Sequence, residues 1–328
     1  MPDSSAITQQ MRPSDIVLLL FLSVLWGGSF FFFEILLEHW QPLTIVTLRV
    51  GIAALVLWLI IFARRIPIPK TRQAWFALFV VGLLNNAIPF FLIVWGQTHI
   101  TAGLSSILNA TTPFFTVLVA GALLADERIS RGKLIGVLLG LAGTVVMIGP
   151  EVFVNGLKSG SVIGQIAVLG AAISYAFAAV WSRRFKAMGL SPLIIAAGQT
   201  LLAALMLLPL TLTIDAPLAS LMNAAPLIWV TILCLALFST VLAYIIYFRL
   251  IASAGATNAS IVTFLVPISA ILLGVFILSE PFSWPQAIGM SLIGLGLLIM
   301  DGRLFRRGNK KLFRQAVVAD SNRACNDE

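Results

Sequence analysis

The sequence predicts an all-α integral membrane protein with ten transmembrane helices that form two inverted five-helix repeats. Apolar residues make up 59% of the 328 residues and charged residues only 10%, against about 45–50% and about 25% in soluble domains. Unbroken apolar windows of about 20 residues recur from one end of the chain to the other, the length that crosses a bilayer as a helix. The alternating pattern of membrane β-strands is not present in such runs.

The ten windows are separated by short polar segments that carry most of the charged residues. They lie at about 15–37, 42–62, 74–96, 101–124, 131–149, 161–183, 191–213, 226–250, 256–279 and 284–301. We divide the chain into a cytoplasmic N-terminal segment 1–14, a first repeat 15–149, an outer linker 150–160, a second repeat 161–301 and a cytoplasmic basic and polar tail 302–328.

The second half of the chain repeats the first. Residues 102–149 return at 254–302 as an apolar helix with a central proline, a polar break with a glutamate, and a glycine-rich apolar helix. Glu127 and Glu280 are 153 positions apart, and so are Gly136 and Gly289. An internal repeat of this length dominates the architecture. Because each half has five spans, the second copy enters the membrane upside down relative to the first.

The net charge of +8 indicates membrane orientation and not nucleic-acid binding. Of the 21 Lys and Arg residues, 19 fall in segments on one side of the predicted spans, Lys158 falls on the other side, and Arg49 lies within a span. Basic residues concentrate in cytoplasmic segments. We therefore expect both termini in the cytoplasm and a multi-pass protein of the inner (plasma) membrane.

Polar residues in the first and third spans are candidates to line a cavity. Trp26 and Ser29 flank two glycines at the middle of the first span, where a close helix crossing and cavity lining are equally compatible with the sequence. Asn85 and Asn86 lie at the centre of the third span, just before Pro89. Asparagine in hydrocarbon needs a hydrogen-bond partner, which an interhelical contact or a substrate cavity can supply. We favour the cavity, because midplane polar groups beside a proline recur in transporters.

The fourth and ninth spans carry the repeated proline and further polar residues. Asn109 and Thr112 belong to a polar stripe of the fourth span, and Pro113 frees the main-chain carbonyl of Asn109. Pro267 takes the equivalent place in the ninth span, with Thr263 one turn earlier. Such groups are tolerated in a bilayer only against protein or a water-filled cavity. We interpret Glu127 and Glu280 as turn and capping residues, because a serine follows each three positions later.

The second half adds aromatic and hydroxyl side chains at similar depth. Tyr175 lies in the sixth span, and Thr240 and Tyr244 share one face of the eighth. Glu34 and Arg49 are the two ionisable acidic or basic side chains well inside the spans. Their depths in the hairpin of the first two spans differ by only about 3 Å at about 1.5 Å per residue. Opposite charges at one depth favour pairing, so we predict a structural ion pair.

The order of these motifs resembles a known family. The Trp-Gly-Gly-Ser-Phe of the first span, the run Ile-Leu-Asn-Ala-Thr-Thr-Pro-Phe-Phe-Thr at 107–116, and the duplicated Gly, Pro, Glu, Gly, Gly pattern are similar to the drug/metabolite transporter superfamily. The most similar branch is its ten-helix EamA-type permeases. The resemblance covers about residues 15–301 and implies an inner-membrane permease, often an exporter of amino acids or other metabolites, with a central cavity.

The leading function is secondary transport, in the direction of export, of a small neutral or zwitterionic metabolite by alternating access. No phosphate-binding loop follows a strand, which argues against ATP-driven pumping by this chain. An integral-membrane enzyme or a transporter-like sensor or scaffold remains an alternative. We expect no catalytic residues, metal or cofactor, since His39 and His99 lack a nearby Cys or Asp in sequence. The expected partners are the substrate and the lipid bilayer, without nucleic acid, for a monomer or weak homodimer.

Overall fold

The computed structural model describes residues 11–124, 127, 129–155 and 159–301, and their regular structure is entirely helical. The tail 302–328, most of the predicted N-terminal segment and the middle of the linker lie outside the described residues.

Eight helices of the described chain are long and apolar enough to cross a membrane. They are α1 (Pro13–Leu37), α2 (Pro42–Ala63), α3 (Arg72–Gln97), α4 (Ala102–Leu123), α5 (Arg131–Asn155), α6 (Gly160–Ala187), α7 (Pro192–Asp215) and α8 (Pro226–Ala254). Two shorter apolar helices follow, α9 (Val262–Ile277) and α10 (Trp284–Asp301). Leu218–Met222 and Ala256–Ala259 form short helices in the connections.

Proline and hydroxyl side chains fix where many of these helices begin. Helices α1, α2, α7 and α8 start with proline, whose fixed φ and missing N–H suit the first helical position. Hydroxyl oxygens accept a main-chain N–H three residues later at the start of α3, α4, α6 and α7. The four capping residues are Thr71, Thr101, Ser159 and Ser191. The helix starts are therefore determined locally by the sequence.

Several helices are irregular where they carry polar residues. Turns of π-helix occur at Leu83–Ala87 within α3, at Thr211–Asp215 at the end of α7, and at Leu237–Leu242 within α8. Helix α4 consists of two pieces, Ala102–Asn109 and Thr112–Leu123. The Asn109 carbonyl, which Pro113 leaves without a main-chain donor, accepts the Thr112 hydroxyl at 2.7 Å. The break is thus satisfied by a side chain of the protein itself.

The helices have neighbours far apart in sequence. Helix α1 packs against α8 and α9, and α6 packs against α3 and α4. Helix α2 contacts α7 and α8, α3 contacts α7, and α5 packs along α10. The halves of the chain are therefore interleaved instead of forming separate bodies.

Glycines permit two of these close crossings. A Cβ atom on Gly27 would lie 2.9 Å from Val266 O and 2.9 Å from Ala270 N of α9. One on Gly143 of α5 would lie 2.7 Å from Gly289 O of α10. Small residues let helix backbones approach closely in membranes. The sequence left a close helix crossing and cavity lining as alternatives at the first-span glycines, and Gly27 lies at a close helix crossing.

Candidate functional site

Arg49 is the centre of a polar cluster between the helices. It lies on α2 and is only 4% exposed. Its Nε donates a hydrogen bond to Thr240 Oγ1 of α8 at 2.9 Å, and Nη2 makes a longer one to Ser239 O at 3.5 Å. Its Cζ lies 3.9 Å from the centroid of the Phe90 ring and 5.1 Å from that of Phe33. The cation is thus held by hydroxyl, carbonyl and aromatic groups.

Asparagines of the π-turn in α3 connect the same region to the second half of the chain. Tyr244 OH donates to Asn86 Oδ1 at 3.2 Å, while the Nδ2 of the fully buried Asn86 has no hydrogen-bond partner. Asn85 Nδ2 donates to Gln199 Oε1 of α7 at 3.2 Å. Tyr175 of α6 and Tyr244 both lie within electrostatic reach of the Arg49 charge. Asn86, Tyr175, Thr240 and Tyr244 of the predicted set therefore gather around Arg49.

The predicted ion pair between Glu34 and Arg49 is not formed in this structure. Glu34 Oε2 instead accepts a hydrogen bond from Gln97 Nε2 at 3.2 Å, whereas Arg49 contacts Thr240, Ser239 and Phe90. Similar depth in two neighbouring helices does not make two side chains face each other. Here α2 directs Arg49 towards α3 and α8, while Glu34 faces the end of α3.

The remaining predicted polar residues make local contacts. Ser29 Oγ donates to Trp26 O at 2.6 Å, and Thr112 Oγ1 donates to Asn109 O. Asn109 itself keeps a buried Oδ1 without a hydrogen-bond partner. Thr263 is half-buried in the first turn of α9. No hydrogen bond joins these four side chains to the Arg49 cluster within the described residues.

Two further predicted features lie on the helices around the cluster. The Trp26 ring packs on Tyr247 of α8, with 5.2 Å between the ring centroids. Pro113 lies in the first turn of the second piece of α4, and Pro267 lies buried inside α9. The two prolines therefore occupy different positions in their helices, at a helix start and within a continuous helix.

A cavity of about 450 Å³ lies at the end of the bundle that carries Glu280. Polar residues of several helices line it, among them Glu34, Gln97, Thr101, Ser161, Gln165 and Gln286. Gln97 is 4% and Gln165 1% exposed, and the Oε1 atoms of both have no hydrogen-bond partner. Because Gln97 Nε2 donates to both Phe30 O and Glu34, its amide orientation is fixed with Oε1 free. Two residues of the cavity wall therefore carry buried amide oxygens without a hydrogen-bond partner.

The sequence did not predict this cavity or the hydrogen bonds of Arg49 to α8. Gln97 and Gln165 lie near the ends of apolar spans, where a polar residue resembles an ordinary interfacial one. The spacing of Ser161 and Gln165, four residues apart on one helix face, was a usable signal, since Gln165 Nε2 donates to Ser161 Oγ at 3.2 Å. Nothing in the sequence marked Phe90 and Ser239 as neighbours of a buried cation.

Comparison with known proteins agrees with this helical architecture. The model of the EamA-like transporter family matches residues 14–149 and again residues 162–300. The uncharacterized transporter YoaV of Bacillus subtilis is 25% identical over 288 residues, which cover 87% of this chain and 96% of the relative. The uncharacterized inner membrane transporter YedA of Escherichia coli K12 is 26% identical over 291 residues, 87% of this chain and 90% of the relative.

A solved structure shares the fold. A chain described only as the crystal structure of a protein superposes with a TM-score of 0.63 at 20% sequence identity, over 90% of this chain and 99% of the other. With its long apolar helices, the protein is a multi-pass membrane protein of the transporter class. The two matches of the family model cover most of the chain, which belongs to the EamA-like transporter family. The resemblance seen in the sequence motifs is thereby confirmed.

Proposed function

We propose that this protein is a secondary transporter that moves a small neutral or zwitterionic metabolite, such as an amino acid or a related compound, across the inner membrane. In this proposal ten helices form two inverted five-helix repeats that alternate in exposing a central site to either side. Transport runs outwards. The observation that carries the proposal is a buried polar cluster built by helices of both halves, around Arg49 of α2 and Thr240 of α8.

The pairing of helices supports two equivalent repeats. Exchanging α1–α5 with α6–α10 converts the α1–α9 contact into the α6–α4 contact, and the α1–α8 contact into the α6–α3 contact. The same exchange relates α3–α7 to α2–α8, and returns α2–α7 and α5–α10 to themselves. Such a set of neighbours is expected from a pseudo-two-fold axis. The two matches of the family model, one in each half, point the same way.

The central position of the polar cluster supports substrate binding there. In transporters built from inverted repeats, the substrate site lies near the bilayer midplane at the repeat interface. Asn86 and Tyr244 are hydrogen-bonded across that interface, and irregular π-turns of α3 and α8 lie beside it. A substrate could bind the unsatisfied Nδ2 of Asn86 within the cluster and, in this proposal, the unsatisfied Oδ1 of Asn109 on α4.

Both termini are proposed to lie in the cytoplasm, because the basic residues cluster in the segments on that side. The repeats are taken as residues 15–149 and 161–301, with the linker 150–160 between them. The protein is proposed to act as a monomer or weak homodimer without a catalytic residue, metal or cofactor.

Flux in liposomes tests the proposed function. The purified full-length protein is reconstituted, loaded with a pool of unlabelled amino acids, and assayed for counterflow of each labelled amino acid. We expect saturable uptake above that of protein-free liposomes for at least one compound. The Asn109→Leu variant should lose about tenfold in flux, equivalent to one hydrogen bond of about 1.4 kcal/mol.

Asn223→Leu is the matched control, because Asn223 is exposed and bonds only within its own turn, to Ala219 O. It should retain the wild-type flux. Equal flux with and without protein, across the whole pool, would refute the transport proposal. Full flux in Asn109→Leu would remove that residue from the site.

A further inference from the structure

We infer that Arg49 is the group that binds a carboxylate of the transported compound. The inference rests on the proposed function and names the chemistry of its central site. It starts from the charge of Arg49, which is buried between α2, α3 and α8 in a chain that spans the membrane. A cation at this depth is costly and is usually paired.

No carboxylate of the described residues neutralises this cation. None lies within 4.0 Å of the Arg49 guanidinium. Five carboxylates with described side chains have other partners: Asp15 bonds Ser253, Glu34 bonds Gln97, Glu127 pairs with Lys133, Asp215 bonds Thr44, and Glu280 bonds Ala102 and Gly103. A sixth, Glu38, is exposed. The charge of Arg49 is therefore left to hydroxyl, carbonyl and aromatic neighbours, and a negative charge on the substrate would complete the site.

The unsatisfied groups of the cluster are mainly donors. A guanidinium carries five N–H donors, and Arg49 uses only Nε and Nη2 for one hydrogen bond each. The buried Nδ2 of Asn86 has no acceptor. Surplus donors around one positive charge match a ligand group that is anionic and accepts several hydrogen bonds.

The geometry favours a carboxylate over other anions. Thr240 anchors Nε and Phe90 covers one face of the guanidinium, which fixes its plane. The two terminal nitrogens keep three N–H donors, and a planar fork of this kind binds a carboxylate through two parallel hydrogen bonds. A single cation among phenylalanine rings balances one negative charge, as in a carboxylate, and would leave a phosphate dianion undercompensated.

Ligand-induced stabilisation of the purified full-length protein tests the inference even while the transported compound is unidentified. The probes are the twenty L-amino acids, 3-phenylpropionate and hexanoate, with L-phenylalaninamide, L-leucinamide and hexylamine as matched compounds lacking the carboxylate. Potassium chloride at equal ionic strength is the control for stabilisation by an inorganic anion. We expect at least one carboxylate to raise the Tm, while its amide or amine counterpart and chloride do not.

Variants of Arg49 then assign the effect. Arg49→Lys keeps the charge but not the planar fork, and the apparent Kd for the active carboxylate should rise about tenfold, with a larger loss in Arg49→Gln. Arg64→Gln is the control on the same helix, since Arg64 is an exposed cation at the end of α2, and it should bind like the wild type. Comparison of each carboxylate with its amide in the wild type needs no variant, so poor folding of Arg49→Gln does not decide the outcome.

Several results would overturn the inference: stabilisation by no carboxylate of the set, equal stabilisation by carboxylates and amides, or stabilisation by chloride alone. Unchanged carboxylate affinity in a folded Arg49→Gln would also overturn it. Counterflow measured with the labelled amino acids and also with labelled L-phenylalaninamide and L-leucinamide separates this outcome from failure of the proposed function. A protein that transports a compound without a carboxylate remains a transporter, whereas absence of any flux refutes transport itself.

Discussion

The contact of Glu280 with the start of α4 predicts a strong effect on stability. Glu280 lies between α9 and α10, and its Oε1 accepts the Ala102 N–H at 2.8 Å while Oε2 accepts the Gly103 N–H at 3.1 Å. Ala102 and Gly103 are buried, and these N–H groups belong to the first turn of α4, where no intrahelical acceptor exists. Glu280 is therefore a helix cap supplied by the opposite half of the chain.

Replacing this carboxylate should lower the free energy of unfolding. A hydrogen bond to a charged group contributes about 1.5–3 kcal/mol. Because Glu280 is partly exposed, we take the lower value for both bonds and expect Glu280→Ala to cost about 3 kcal/mol. Glu280→Gln keeps one acceptor oxygen and should cost about half of that. At roughly 2 °C per kcal/mol, the Tm of Glu280→Ala in detergent should fall by about 6 °C.

Glu127 is the matched control, because it occupies the equivalent position of the first repeat in the sequence. It pairs with Lys133 at 3.3 Å and with Arg183 at 3.9 Å, and its side chain is 39% exposed. Exposed ion pairs contribute only about 0–1 kcal/mol. Glu127→Gln should therefore change the Tm by no more than about 2 °C. Equal losses for Glu127→Gln and Glu280→Gln would show that the cap contributes nothing specific.

Two glycines test the same contact by steric displacement. A Cβ on Gly274 would lie 2.5 Å from Glu280 Oε2, whereas a Cβ on Gly103 would lie 3.5 Å from that atom, an ordinary contact distance. Gly274→Ala should therefore push the carboxylate away and reproduce part of the Glu280→Ala loss, while Gly103→Ala should be tolerated. The reverse order of Tm values for the two alanine variants would refute the assigned geometry.

Three further predictions concern other contacts and the orientation. Asp215→Ala removes the acceptor of Thr44 N and Thr44 Oγ1, at 2.7 and 2.8 Å, and should lower stability by about 1–2 kcal/mol in thermal unfolding, with Asp215→Asn less affected. Gly143→Leu should separate α5 from α10 and lower the Tm, whereas Gly294→Leu, with nothing within 4 Å of its Cβ position, should not; equal Tm values would argue against the crossing. In a cysteine-free background, single cysteines at the exposed Thr98 and Arg64 should react with membrane-impermeant reagents from outside and inside respectively, and labelling of both from one side would refute the topology.

The sequence alone determined the class of protein and the position of most helices. Predicted spans at 15–37, 42–62 and 226–250 correspond to the helices Pro13–Leu37, Pro42–Ala63 and Pro226–Ala254. This agreement has a simple cause, because every main-chain group in a bilayer must be bonded within its own segment and a long apolar run has only the helix available. The family also followed from the sequence, since its motifs recur in order along both halves.

The sequence was less informative about interruptions within helices. The ninth window was predicted to begin at residue 256, whereas α9 begins at Val262 after a short helix and a turn. The π-turn at Leu237–Leu242 contains no proline or glycine from which it could be predicted. Such irregularities depend on packing against neighbouring helices, so local propensity does not reveal them.

Only the tertiary structure decided which polar side chains meet. Sequence position gives the depth of Glu34 and Arg49, since each residue advances the helix by about 1.5 Å. It does not give the rotation of a helix about its own axis. In a soluble protein an apolar stripe marks the inner face of a helix, but here lipid and protein interior are both apolar and the pattern is lost. The partners of Arg49 and of Glu34 were therefore fixed by the packing of α2, α3 and α8.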